Sequence, residues 1–121
     1  SLRRDSAWKC QRELNSPGEM KKSSEEIDRE REEAWVGDAV LALYVREWLI
    51  REKGQIDGEA FVRATSNDFL RLKGNPTSVE AEIGRVYRDG GLQAGFDFIE
   101  TQLIPLFVQR EKVRARQQAR R

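Results

Sequence analysis

Two carboxylates in this 121-residue chain stand in surroundings that do not favour acids. Asp38 follows Gly37 inside "AWVGDAVLALYV" (34–45), a run otherwise made of apolar or small residues. Buried without partners, a carboxylate costs several kcal/mol or gives up its charge. Glu80 sits in a second such segment, "TSVEAEIGRVY" (77–87). The chain has no histidine, and Cys10 is its single cysteine. Ser–His and Cys–His hydrolysis, metalloprotease motifs and cysteine zinc clusters are therefore excluded, as is an internal disulfide. Chemistry must come from carboxylates, lysines, serines or one thiol, and paired carboxylates suit a hard cation such as magnesium. Each acid also has a plain reading. Asp38 could lie on a solvated helix stripe with Ala34, Ala42 and Val45, or meet an arginine from elsewhere. Glu80 could close a capping box with Thr77, since Asn75-Pro76 suits a helix start. Glu82 reads as a surface or interface charge.

The elements that must position these acids are helical. Ser23 followed by Glu26 fits a capping box, and a helix is predicted from about 25 to 51. Its first half is charged. In its second half Val36, Val40, Leu43 and Trp48 trace one face and Trp35, Ala39, Ala42 and Leu49 another, so burial on several sides is expected. Asp57 is placed to cap a second helix over 58–73, with Phe61, Phe69, Leu70 and Leu72 inward. A third helix is predicted over 77–88, with Val79, Ile83, Val86 and Tyr87 inward, ending at the glycine turn "RDGG". A fourth starts near Leu92, uses Phe96, Ile99, Leu103 and Leu106, and should kink or break at Pro105. No sustained strand alternation occurs, so the fold class is all-α.

One compact domain fits this length. Apolar residues make up 38% and charged residues 36%, so the core must be small. No apolar run approaches the ~20 residues of a membrane span, and no signal-peptide pattern is present. The expected partners thus include no membrane, and the expected location is cytoplasmic, or organellar if the source is eukaryotic. Net charge is +1, but unevenly spread: residues 25–33 hold six acids against two arginines, and residues 110–121 six bases against one acid. The basic end is either a solvated helix end or a surface for an anionic partner. The chain divides into an N-terminal extension (1–22, with Trp8, Leu14 and the turn "NSPG"), a helical domain (23–108) and a basic tail (109–121).

Taken together, "WVGDAVLALYVREWL" (35–49) resembles the signature helix of the ribonuclease III domain, where a Gly-Asp-Ala/Ser step sits in an apolar helix. "VEAEIGRVYRDGGLQAGFDFI" (79–99) is similar to that domain's second signature, and "ATSNDFL" (64–70) to the segment between them. The likeness covers roughly residues 33–107. It departs at two places: the family's other two carboxylates, four residues before the Asp and three before the Glu, are here Ala34 and Thr77. The Mini-III branch, which lacks a double-stranded-RNA-binding domain, shares that reduction. The linker before Glu80 is also shorter than in either branch.

The resemblance implies a homodimer in which Asp38 and Glu80 meet and hold magnesium, or manganese, at a surface groove. It implies hydrolysis of double-stranded or structured RNA, leaving a 5′-phosphate and a 3′-hydroxyl. Trp35 or Trp48 would anchor the dimer. Arg110, Lys112, Arg114 and Arg116 are the candidates for contacting the RNA backbone. Two other readings stand beside this one. A non-catalytic ribonuclease III-like protein would bind RNA or serve a ribosome-associated structural role. A helical interaction module would show neither metal nor RNA affinity.

Overall fold

The structure is a computed structural model that describes residues 23–120. The extension 1–22, with Trp8, Cys10 and Leu14, lies outside the described residues. Every regular element among them is a helix: α1 (Ser24–Lys53), α2 (Gly58–Thr65), α3 (Asn67–Leu70), α4 (Pro76–Gly90), α5 (Leu92–Gln102) and α6 (Ile104–Ala119).

Short-range chemistry sets most of the boundaries. Ser23 and Glu26 close the capping box at the start of α1, with Glu26 N donating to Ser23 Oγ at 3.1 Å and Ser23 N to Glu26 Oε1 at 2.9 Å. Gly54 ends the helix at φ 74°, a left-handed conformation that glycine adopts without a Cβ penalty. Asp57 caps α2 by accepting from Ala60 N at 3.0 Å. Asn75 caps α4 by accepting from Ser78 N at 3.1 Å, and Pro76 opens the helix where its missing N–H costs nothing.

Two expectations need correction. The helix predicted over 58–73 is broken at Ser66, whose backbone is extended (φ −73°, ψ 154°). Its hydroxyl accepts from Phe69 N at 3.1 Å, so a residue expected inside one helix instead ends α2 and starts α3. Leu72, expected inward, lies beyond that corner and is 55% exposed. The basic tail is also no separate element. The chain breaks at Leu103, and α6 then runs from before Pro105 through Arg116 without interruption.

The core gathers Leu41, Val45 and Leu49 of α1, Phe69 and Leu70 of α3, Ile83 of α4, and Ile99, Leu103 and Phe107. Phe107 receives the edge-on rings of Phe69 (5.6 Å between centroids) and Trp48 (6.0 Å), which roots α6 in the domain. α1 is not covered on every side, however. Trp35 is 82% exposed and Leu43 41%, and they share a shallow apolar groove with Tyr87 and Leu92. No helix among the described residues is long and apolar enough to cross a membrane.

Candidate carboxylate site

α1 and α4 meet through their main chains. A methyl group added to Gly37 would sit 1.8 Å from the carbonyl oxygen of Glu80, and one added to Gly84 would sit 2.0 Å from that of Glu33. No side chain separates the two helices at this crossing. The residue after Gly37 is Asp38, and the carbonyl that Gly37 touches belongs to Glu80, so the crossing itself sets the two acids side by side. Their side chains hydrogen-bond to one another.

Two carboxyl groups can share a hydrogen bond only when one holds a proton. Burial pushes the Glu80 carboxyl up to about 7, helped by its hydrogen bond to Asp38 and by the negative charge there. Glu80 does not close a capping box with Thr77, because Asn75 holds the cap and Glu80 turns to Asp38 instead. Asp38 is exposed, but not on a solvated stripe: Ala34 and Val45 are buried. No arginine or lysine pairs with it among the described residues.

The sequence reading missed what clamps the helices beside this crossing. Arg85 Nη1 meets Glu33 Oε1 at 3.0 Å, and Ser78 Oγ donates to Glu30 Oε2 at 2.9 Å. Glu33 and Glu30 belong to the acidic run over 25–33. Their partners lie about fifty residues away and leave no local pattern. The only local hint was the two glycines, each within four residues of a key acid.

The position four residues before Asp38 is the buried Ala34, and the position three before Glu80 is the exposed Thr77. Neither adds a carboxylate, and no group of three or more His, Cys, Asp or Glu assembles among the described residues. Two adjoining carboxyl groups, one exposed and one half-buried, still fit a hard cation that keeps several of its waters. The basic candidates are elsewhere, on α6. Arg110 pairs with Asp68 of α3, Arg114 lines a cleft with Arg63 and Ser66, and Lys112 and Arg116 are exposed.

The raised carboxyl makes a prediction about stability. Folding raises Glu80 from 4.5 to about 7, so the folded state favours the protonated form. Its contribution is fully present below about pH 4.5 and is lost as pH rises through about 7. Glu80→Gln imitates the protonated side chain and should abolish that loss. At about pH 8 the variant should be more stable than the parent by roughly 1–2 kcal/mol, after discounting for the half-exposed position. Urea unfolding of both proteins at acidic and alkaline pH measures this, and parallel pH profiles would contradict it.

Comparison of the chain with family models, with curated proteins and with solved structures gave no match in any of the three.

Proposed function

We propose that the protein is a small cation-dependent endoribonuclease that hydrolyses double-stranded or structured RNA and works as a homodimer. The observation that carries this reading is the hydrogen-bonded Asp38–Glu80 pair at the crossing of the two signature-like helices. Asp38 and Glu80 would hold magnesium, or manganese in its place. When bound, such an ion lowers the pKa of a coordinated water and offsets charge on a scissile phosphate. The chain's own part is positional. The glycine crossing fixes the spacing of the acids, and the exposure of Asp38 leaves the pair open to a large substrate. The Glu80 carboxyl, raised to about 7, would have to lose its proton to serve as a ligand, so cation affinity should increase with pH through that range. Double-stranded RNA is read largely through shape and backbone, a task for the cations of α6.

The apolar groove beside Asp38 supports a two-fold dimer. Trp48 is half-buried against Phe107, which leaves Trp35 as the anchor. Light scattering at micromolar concentration should report a dimer, and Trp35→Ser combined with Leu43→Ser should shift it to monomer. A parent protein that is monomeric under those conditions would remove the dimer from the proposal.

The absence of carboxylates at Ala34 and Thr77 favours a second reading, a non-catalytic RNA-binding member of the same fold. Incubating the protein with duplex RNA, with and without magnesium and beside Asp38→Asn, separates the two.

A further inference from the structure

The cleft between α6 and the α2–α3 corner lies outside the carboxylate site. It is lined by Arg63, Ser66, Asp68, Arg110, Glu111 and Arg114, among others. Its three guanidinium groups are unequally satisfied. Arg63 grips Glu111 with two nitrogens, Nε to Oε2 at 2.9 Å and Nη2 to Oε1 at 3.0 Å, a fork-on-fork pair that uses both groups well. Arg110 gives Nη2 to Asp68, while its Nη1 is enclosed by protein and donates to no acceptor among the described residues. Arg114 makes no ion pair among the described residues. Among these named side chains, one positive charge is left over.

This is the chemistry of an oxyanion receptor. A planar guanidinium satisfies several oxygens of one phosphate group at once, which a monatomic anion does not. The enclosed Nη1 of Arg110 is out of reach of such a ligand. Arg110 would instead offer the Nη2 that Asp68 now holds, beside Arg114, which is unpaired among the described residues. The carboxylate that holds Arg110 is poorly placed to keep it, since the side chain of Asp68 is 73% exposed and its attraction is screened by water. Helical spacing sorts the basic residues too. Arg110 and Arg114, four apart, line the cleft, whereas Lys112 and Arg116, also four apart, face solvent.

We propose that this cleft binds a single phosphate group between Arg110 and Arg114, with the Asp68 carboxylate as the resident competitor that the phosphate displaces from Arg110. The inference rests on the RNA reading for the source of that phosphate, one backbone phosphate of a duplex. The cleft's own chemistry serves inorganic phosphate equally.

The test titrates the full chain with sodium phosphate, with sodium chloride at matched ionic strength, and with an RNA duplex, following the arginine Nε–Hε NMR signals. Phosphate should shift Arg110 and Arg114 saturably, and chloride should not. Arg114→Ala should weaken phosphate binding roughly tenfold. Asp68→Asn should tighten it several-fold, and Lys112→Ala should change it less than about twofold. The duplex should move the same two signals. Saturable phosphate binding without any duplex binding upholds the cleft and sinks the RNA reading instead. Duplex binding that leaves Arg110 and Arg114 unmoved overturns the assignment of the cleft to a backbone phosphate while the RNA reading stands. No saturable response to phosphate overturns it outright, and unchanged affinity in Asp68→Asn overturns the competitor role.

Discussion

Asp38→Asn should lower magnesium-dependent cleavage of duplex RNA by roughly two orders of magnitude or more, because it removes one of two candidate protein ligands. The amide keeps the size of the side chain, and Asp38 is exposed, so the fold should tolerate the change. Stability should stay level or rise slightly at neutral pH, since Glu80 loses the negative neighbour that helps to raise its carboxyl. On the proposed reading Arg110, Lys112, Arg114 and Arg116, not the acids, carry the contact to the RNA backbone, so duplex binding should persist. A gel assay of cleavage beside a filter-binding curve checks both halves. If the parent protein binds duplex RNA but never cuts it in magnesium or manganese, the non-catalytic reading holds. If Asp38→Asn cuts as fast as the parent, the carboxylate pair is not the site.

The second large effect should come from a single methyl group. Gly84→Ala would place a Cβ 2.0 Å from the Glu33 carbonyl oxygen, and Gly37→Ala one at 1.8 Å from that of Glu80. Each obstacle is main chain within a helix and cannot swing aside, so the helices must part by more than an ångström. Overpacking a core commonly costs about 1–3 kcal/mol, and a rigid obstacle belongs at or above the top of that range. Against a total stability of about 5–15 kcal/mol, either variant should unfold at clearly lower urea. What remains folded should have lost the Asp38–Glu80 hydrogen bond, seen as a fall in the Glu80 carboxyl pKa toward 4.5. Gly58→Ala is the control. Nothing lies within 4 Å of its Cβ position, so it should be neutral or mildly stabilising. Equal stability of Gly84→Ala and Gly58→Ala would mean that the helices do not meet as described.

The parts of the fold legible in the sequence were those governed by neighbours in the chain. Ser23 with Glu26, Asp57 and the Asn75-Pro76 step announce helix starts through side chains that satisfy amides within three residues. The oddity of Asp38 was legible for a similar reason, since its apolar company is contiguous. Glu80 was harder to read, because a plausible cap lay beside it, and only the packed structure turns it toward Asp38. Ser66 misled the reading: the same residue type suits a helix interior poorly and a cap well, and the choice was settled by burial of Phe69 and Leu70 just beyond it. The pairs Arg63–Glu111 and Arg110–Asp68 were invisible because each joins residues more than forty positions apart. The exposed face around Trp35 was legible in part: Trp35 or Trp48 was expected at an interface, and only packing shows that Trp48 lies against Phe107 while Trp35 stays uncovered.

The way α6 is held divides one helix into two regimes of motion. Its first turn is rooted by Leu103 and Phe107 in the core, so the amides there open only when the domain as a whole does. Its middle is held at the side by charges, Glu111 on Arg63 and Arg110 on Asp68, whose grip depends on ionic strength. Its last turn, through Ala119, is exposed and frays readily. Rising salt should therefore weaken the exposed Arg110–Asp68 contact well before the partly buried Arg63–Glu111 fork. The anchored part of the helix then ends near Glu111, and only the basic end beyond it becomes a fluctuating arm.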